Sequence, residues 1–409
     1  MTTDHFSTSP FHVMTKPIGP ICNLDCHYCY YLHKEELYPG GTKWKMSDET
    51  LESYIGQYIT CQPPGTSEVT FAWQGGEPTL LGIDFFQRCV DLQQKHVRRG
   101  MKVVNTIQTN GVLIDDDWCR FLRSNEFLVG LSLDGPAEWH DAWRVDVHGK
   151  GSHSSVTAAL RRLKKFAVEF NAMVVVNRTN AVDGGRMYRY LRDSGCRFMQ
   201  FIPLVERRGV GRHAEGPASP EQWTPFDRAE DAVSSRSVLP DQFGSFLCEV
   251  FDEWRQHDIG RVFVQIFDQA LSAWLDVEPS LCVFRKRCGR ALAMEHNGDV
   301  YSCDHFVDED HLLGNLNVVP LEELINSGRQ QAFGDAKQET LPEYCLQCEV
   351  RQACNGECPK NRFLQTPDGK DGLNYLCRGY RKFFNHATPL LDEMAKLIKS
   401  GRSPAEAMK

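Results

Sequence analysis

The absences narrow the field first. No apolar run approaches the ~20 residues that span a bilayer, so no membrane partner is expected. The stretch "MTTDHFSTSPFHVMTKP" has no basic segment leading into an apolar core, so a secretory signal is not expected and a cytoplasmic location is. No Lys/Arg run forms a basic stripe and the net charge is −8, which disfavours a nucleic-acid partner. There is no long internal repeat and no low-complexity tract, which argues against a solenoid or a disordered array. What remains is an ordinary globular composition, 41% hydrophobic and 24% charged over 409 residues, with room for two or three domains.

Cysteine is the residue in excess, with sixteen in the chain. In a chain expected to stay in the cytoplasm, clustered cysteines point to metal binding or chemistry rather than disulfides. Cys61, Cys89, Cys119, Cys196 and Cys248 are isolated and read as small core hydrophobes. Three others form C-x3-C-x2-C in "CNLDCHYC" (22–29), and eight fall between 282 and 377. Eight thiolates complete two four-cysteine sites, which leaves Cys22, Cys26 and Cys29 without a fourth cysteine. A three-thiolate site leaves one coordination position open, where a small molecule with an amine and a carboxylate can chelate. The alternative is a zinc knuckle completed by His27, His33 or another residue.

Along the first half, short apolar runs alternate with helical patterns. "FHVMTKP" (11–17), "VTFAWQG" (69–75), "VVNTIQTN" (103–110), "LVGLSLDG" (128–135), "NAMVVVNRT" (171–179) and "RFMQFIPLV" (197–205) read as strands buried on both faces. In "MSDETLESYIGQYI", Ser47 is a candidate N-cap and Leu51, Tyr54, Ile55, Tyr58 and Ile59 repeat at helical spacing. Six β-then-α units imply a parallel sheet, open or curled into part of a barrel, with chemistry at the C-terminal strand ends. Residues 206–226, rich in Gly, Pro and charge, read as a surface connection, and 241–258 as an amphipathic helix. Asn297–Gly298 between two strand-like runs signals a hairpin. "LLDEMAKLIKS" (390–400) reads as a packing helix.

The C-x3-C-x2-C spacing, with Tyr28 before the last cysteine, resembles the radical S-adenosylmethionine superfamily. Its members use a three-cysteine [4Fe–4S] cluster to cleave S-adenosylmethionine into a 5′-deoxyadenosyl radical. "WQGGEPTL" after the second strand is similar to the superfamily's motif for the methionyl amino group. The resemblance implies that Tyr28, Gln74, Gly75, Gly76 and Glu77 lie at the cofactor, with Ser132, Arg144 and Leu204 as further contacts. The pattern Cys288-x9-Gly298-x4-Cys303, then Cys345-x2-Cys348-x5-Cys354-x3-Cys358 and finally Cys377, resembles the SPASM domain, a two-cluster extension of radical enzymes that modify peptides. By that resemblance Cys282, Cys288, Cys303 and Cys358 hold one auxiliary [4Fe–4S] cluster, and Cys345, Cys348, Cys354 and Cys377 the other.

Nearly end to end, the chain is similar to the anaerobic sulfatase-maturating enzymes, through "MTKPIGPICNLDCHYCYY", "WQGGEPTL", "QTNG", "IGRVFVQIF", "YSCDHF" and "LCRGYRKFF". The expected fold is therefore α/β, a partial (β/α)6 TIM-like barrel over 1–235, connecting helices over 236–280, a SPASM domain over 281–385 and a C-terminal helix over 386–409. The implied activity is oxidation of a sulfatase Cys or Ser to Cα-formylglycine by hydrogen abstraction from Cβ. It requires S-adenosylmethionine and three [4Fe–4S] clusters. The implied partners are an unfolded or nascent sulfatase and a reductant such as flavodoxin or ferredoxin. The target thiol or hydroxyl must also lose a proton, so a base is needed within hydrogen-bond reach. The resemblance places it at Asp304, with Asp134 the weaker rival. Two other readings stand: a peptide-modifying SPASM enzyme making thioether or carbon–carbon crosslinks, and a zinc-stabilised binding module or electron carrier.

Overall fold

The structure is a computed structural model that describes residues 7–38, 43–209 and 223–408. Its main strands are β1 (His12–Lys16), β2 (Glu68–Trp73), β3 (Lys102–Thr109), β4 (Leu128–Ser132), β5 (Phe170–Val176), β6 (Phe198–Pro203), β7 (Phe263–Val264), β8 (Ala291–Glu295), β9 (Asp299–Tyr301) and β10 (Leu312–Asn315). The helices used below are α1 (Asp48–Thr60), α2 (Pro240–His257), α3 (Gly328–Glu339) and α4 (Cys377–Lys399). The six strands read from the sequence are β1 to β6, and helices separate them as expected. Most of the 206–226 connection lies outside the described residues.

The chain divides into two compact units. The first comprises Met1–Ser132, Arg144–Phe170 and Cys288–Asp335. Within it, β1, β2, β3 and β4 pair in parallel in that order. The side chain of Ser47 accepts from the Thr50 amide and caps α1, as the sequence implies. Tyr54 and Tyr58 of α1 then meet Phe71 of β2 edge-on, at 5.6 and 5.0 Å between ring centroids. The hairpin at Asn297–Gly298 forms, with β8 and β9 antiparallel. It also joins segments distant in the chain: β8 pairs in parallel with β1, from His12↔Ala291 to Lys16↔Glu295. Residues 288–335 thus fold with the N-terminal strands, because β1 has a free backbone edge on the side away from β2 and β8 satisfies it.

The second unit comprises Leu133–Trp143, Asn171–Arg287 and Ala336–Lys409. Here β5, β6 and β7 pair in parallel. The helix expected at 241–258 is α2, and it packs on α4 through Phe243–Tyr380 and Phe251–Phe383, with centroids 5.6 and 6.0 Å apart. The C-terminal helix does not begin near 386. It runs unbroken from Cys377 to Lys399 through Pro389. Pro389 forfeits one backbone hydrogen bond. The buried face continues across it from Tyr380, Phe383 and Phe384 to Leu390, Leu391 and Met394, and that packing holds the helix together.

Candidate functional site

In the first unit the chain leaves β1 at Lys16 and passes directly into the segment that carries Cys22. This segment is fastened to the residues after β2. The Gly76 amide donates to the Gly19 carbonyl and the Glu77 amide to the Ile21 carbonyl, both at 2.8 Å. A Cβ on Gly76 would sit 1.9 Å from the Ile21 oxygen, and Gly75 holds φ +119° with Gly19 oxygen 2.9 Å from its Cβ position. The two glycines are therefore required by the chain's own backbone, whatever ligand they also meet. Glu77 is 1% exposed. Its carboxylate accepts from the Thr79 amide and hydroxyl, the Thr109 hydroxyl and the Asn110 amide. Asn110 in turn donates to Asn23 Oδ1 at 2.7 Å and approaches Cys22 Sγ at 3.7 Å. Glu77 thus braces the ends of β2 and β3 around the cysteine segment.

Cys22 Sγ accepts from the Leu24 amide at 3.4 Å, a bond that favours thiolate over thiol. Burial, reinforced by Glu77, nevertheless pushes the metal-free Cys22 thiol up to about 12. A metal centre would have to displace that proton, as iron–sulfur ligation does. Cys26 and Tyr28 are buried, and His27 is exposed. Arg144 lies over the Tyr28 ring at 5.5 Å and is itself buried. Ser132 ends β4 and is buried. The sequence-predicted Cys22, Cys26, Cys29, Tyr28, Gln74–Glu77, Ser132, Arg144 and Asp304 all belong to this unit, as do Cys288 and Cys303.

Asp304 does not stand free. Lys16 Nζ lies 2.6 Å from its Oδ1, with the lysine side chain 1% and the aspartate 15% exposed. The Tyr30 hydroxyl donates to Oδ2 at 2.8 Å. Lys16 also donates to Gln74 Oε1 at 3.2 Å and sits over the Tyr31 ring at 4.9 Å. The Tyr31 hydroxyl donates to Glu295, the β8 residue paired with Lys16. Burial alone would push Asp304 up, but the Lys16 ammonium, with His305 and Tyr30, outweighs it and holds the carboxyl below its ordinary range. The result is a desolvated carboxylate kept ionised by a buried cation.

In the second unit, Cys345, Cys348, Cys354 and Cys377 line one cavity together with Tyr344, Arg351, Gly356 and Arg381. Burial pushes Cys345 up to about 11, opposed by the charges of Arg362 and Arg351. Four convergent cysteines in an arginine-edged cavity fit a cluster whose four thiolates make it anionic. Among the described residues no three His, Cys, Asp or Glu side chains are grouped to hold a single metal ion. Cys282, Cys358 and Leu204 also belong to this unit. The rival base Asp134 is fully buried, and its Oδ1 accepts from the Val175 amide at 2.9 Å while its own amide donates to His140 Nδ1. That makes it a brace between β5 and the segment after β4. The five isolated cysteines are all buried, as expected.

Residues 17–191 match the Radical SAM superfamily and residues 282–349 the SPASM iron–sulfur cluster-binding domain. A serine-type anaerobic sulfatase-maturating enzyme of Bacteroides thetaiotaomicron is 45% identical over 98% of this chain and 95% of its own length. The chain belongs to the anaerobic sulfatase-maturating enzymes. A cysteine-type member from Clostridium perfringens is 33% identical over 95% of this chain and its whole length. The solved structure of native anSMEcpe with bound AdoMet and Cp18Cys peptide superposes with a TM-score of 0.81 at 32% identity, over 95% of this chain and 99% of that one.

As a sulfatase-maturating enzyme the chain is a radical S-adenosylmethionine oxidoreductase with an iron–sulfur cluster-binding domain. No helix among the described residues is long and apolar enough to cross a membrane. Sequence reasoning missed Lys16, Tyr30, Tyr31 and Glu295 as members of the enzyme's carboxylate cluster. The signal for Lys16 was present: a cation closing the first strand, just before Pro17, at the end where parallel sheets do chemistry. Glu295 offered no such signal, because its place depends on β8 pairing with β1.

Proposed function

We propose that this chain oxidises a sulfatase serine, and with lower efficiency cysteine, to Cα-formylglycine in an unfolded or nascent polypeptide. The observation that carries the reading is the ion pair of buried Lys16 with Asp304, the residue directly after Cys303, in a chain that matches sulfatase-maturating relatives over 98% of its length. The preference for serine rests on the graded identity, 45% and 36% to serine-type relatives against 33% to a cysteine-type one.

Cys22, Cys26 and Cys29 would hold the open [4Fe–4S] cluster, and Tyr28, Gln74, Gly75, Gly76, Ser132, Arg144 and Leu204 would hold S-adenosylmethionine, with Glu77 bracing the loop. Cys282, Cys288, Cys303 and Cys358 would hold one auxiliary [4Fe–4S] cluster, and Cys345, Cys348, Cys354 and Cys377 the second. When bound, these groups supply the radical that takes a hydrogen atom from the target Cβ and the acceptor for the second electron. Asp304 takes the proton from the target hydroxyl or thiol; serine then gives the aldehyde directly, and cysteine a thioaldehyde that water hydrolyses with release of hydrogen sulfide. Lys16 keeps that carboxylate ionised between turnovers, and the Tyr30 hydroxyl orients its second oxygen. A flavodoxin or ferredoxin in the cytoplasm would deliver the first electron.

The test is an anaerobic incubation with S-adenosylmethionine, a reductant and matched Ser and Cys sulfatase-motif peptides, read by mass spectrometry. An aldehyde product from the Ser peptide is expected, and faster than from the Cys peptide. Absence of aldehyde from both would overturn the reading, and a crosslinked product would favour the thioether or carbon–carbon alternative.

A further inference from the structure

Between Cys354 and Cys358 the backbone does something unusual. Asn355, Gly356 and Glu357 hold φ of +47°, +71° and +48°, three left-handed residues in succession. Apart from achiral Gly, residues visit this region singly, and most often as Asn or Asp, so a run that includes Glu is not self-sustaining. One side chain clasps it. The buried Arg362 donates from Nε to the Gly356 carbonyl at 2.9 Å, and from Nη2 to the Asn355 and Glu357 carbonyls at 3.1 and 3.2 Å. Its Nη1 donates to the Lys337 carbonyl at 2.6 Å.

The clasp extends further. The buried Lys337 ammonium, from the last turn of α3, donates to the Cys282 and Val283 carbonyls, both at 2.8 Å. Asn355 Nδ2 donates to the Phe284 carbonyl at 2.8 Å. The Glu357 carboxylate accepts from Asn361 and Asn374 at 3.2 and 2.7 Å. Gly356 is fixed by the same guanidinium, since a Cβ there would stand 2.6 Å from Arg362 Nη2 and 2.4 Å from Leu341 Cδ2.

We propose that Arg362 is a positioning residue for the auxiliary iron–sulfur centres: its planar fork fixes the left-handed turn that separates Cys354 from Cys358, so that the two thiolates serve different clusters. A fork is required because one group must reach several carbonyls in fixed directions, which a lysine ammonium at the same place does not do. The buried positive charge, which already acts on the Cys345 thiol, would also favour the reduced, more anionic state of a cluster held there. This inference rests on the cluster reading given under the proposed function.

The experiment uses the full-length protein, reconstituted anaerobically, as wild type, Arg362→Lys and Arg362→Gln, with Cys345→Ala alongside. Iron content, electron paramagnetic resonance and redox titration are measured. Wild type should bind about twelve irons. Both Arg362 variants should keep the S-adenosylmethionine-responsive signal of the N-terminal cluster while losing part of the remaining iron. Their residual auxiliary signals should show altered g-values, with a lower midpoint potential in the Gln variant, which lacks the charge. Wild-type iron, g-values and potentials in Arg362→Lys would overturn the proposal, and this variant decides the matter if the Gln protein does not fold. Wild type with only about four irons, or Cys345→Ala with no iron loss, would instead defeat the cluster reading itself.

Discussion

Lys16 Nζ lies 2.6 Å from Asp304 Oδ1, and the lysine side chain is almost wholly out of water. The two residues are 288 positions apart (304 − 16), and β8 pairing with β1 brings them together. A carboxylate in this setting is held deprotonated, so it can accept a proton, while the same ammonium lowers its basicity.

Asp304→Asn should separate the two halves of the reaction. Cleavage of S-adenosylmethionine should stay near wild type, because the variant keeps the N-terminal cysteines. Aldehyde formation should fall by about 10²-fold or more, the usual contribution of a general base. Chromatography of 5′-deoxyadenosine beside peptide mass spectrometry checks this, and normal aldehyde yield would remove Asp304 from the base's role.

Lys16→Met should destabilise the protein by about 3 kcal/mol, because it strands a mostly buried carboxylate. The double variant Lys16→Met with Asp304→Asn should recover a large part of that loss, since it removes both charges. Anaerobic denaturant unfolding of the two single variants and the double completes the cycle. Strict additivity would mean that the pair is not coupled.

Gly76→Ala should disrupt the N-terminal cluster without touching a cysteine. Its Cβ would clash with the Ile21 carbonyl beside Cys22. Loss of about four irons and of S-adenosylmethionine cleavage is expected. Gly328→Ala, where a Cβ meets nothing within 4 Å, is the control and should retain both.

Replacing Cys22, Cys26 and Cys29 together by Ala should abolish S-adenosylmethionine cleavage and leave about eight irons bound. Iron and sulfide analysis is the readout. A protein carrying zinc and no iron would revive the zinc-module alternative.

Much of this was legible in the chain. The strands β1 to β6 announced themselves as doubly buried apolar runs, Ser47 as a cap and Asn297–Gly298 as a turn, because each signal is local and acts through a few neighbouring backbone groups. Counting cysteines separated three from eight, and the four that line a single cavity in the second unit are among those eight. Other features were beyond local reading. Helix α4 continues through Pro389 because its buried face outweighs one missing hydrogen bond. Gly75 and Gly76 answer to the backbone at Gly19 and Ile21, which sequence distance conceals.

The sequence by itself determined the chemistry available: the cysteine sets, the glycine pair after β2 and a carboxylate following Cys303. Tertiary structure alone decided which groups act on one another. Pairing of β8 with β1 supplied Asp304 with its buried cation, and the fold supplied Arg362 to a turn that local propensity would not form. The reason is physical: residue type fixes what a side chain can do, while burial and the distance to its partners fix its charge state and orientation.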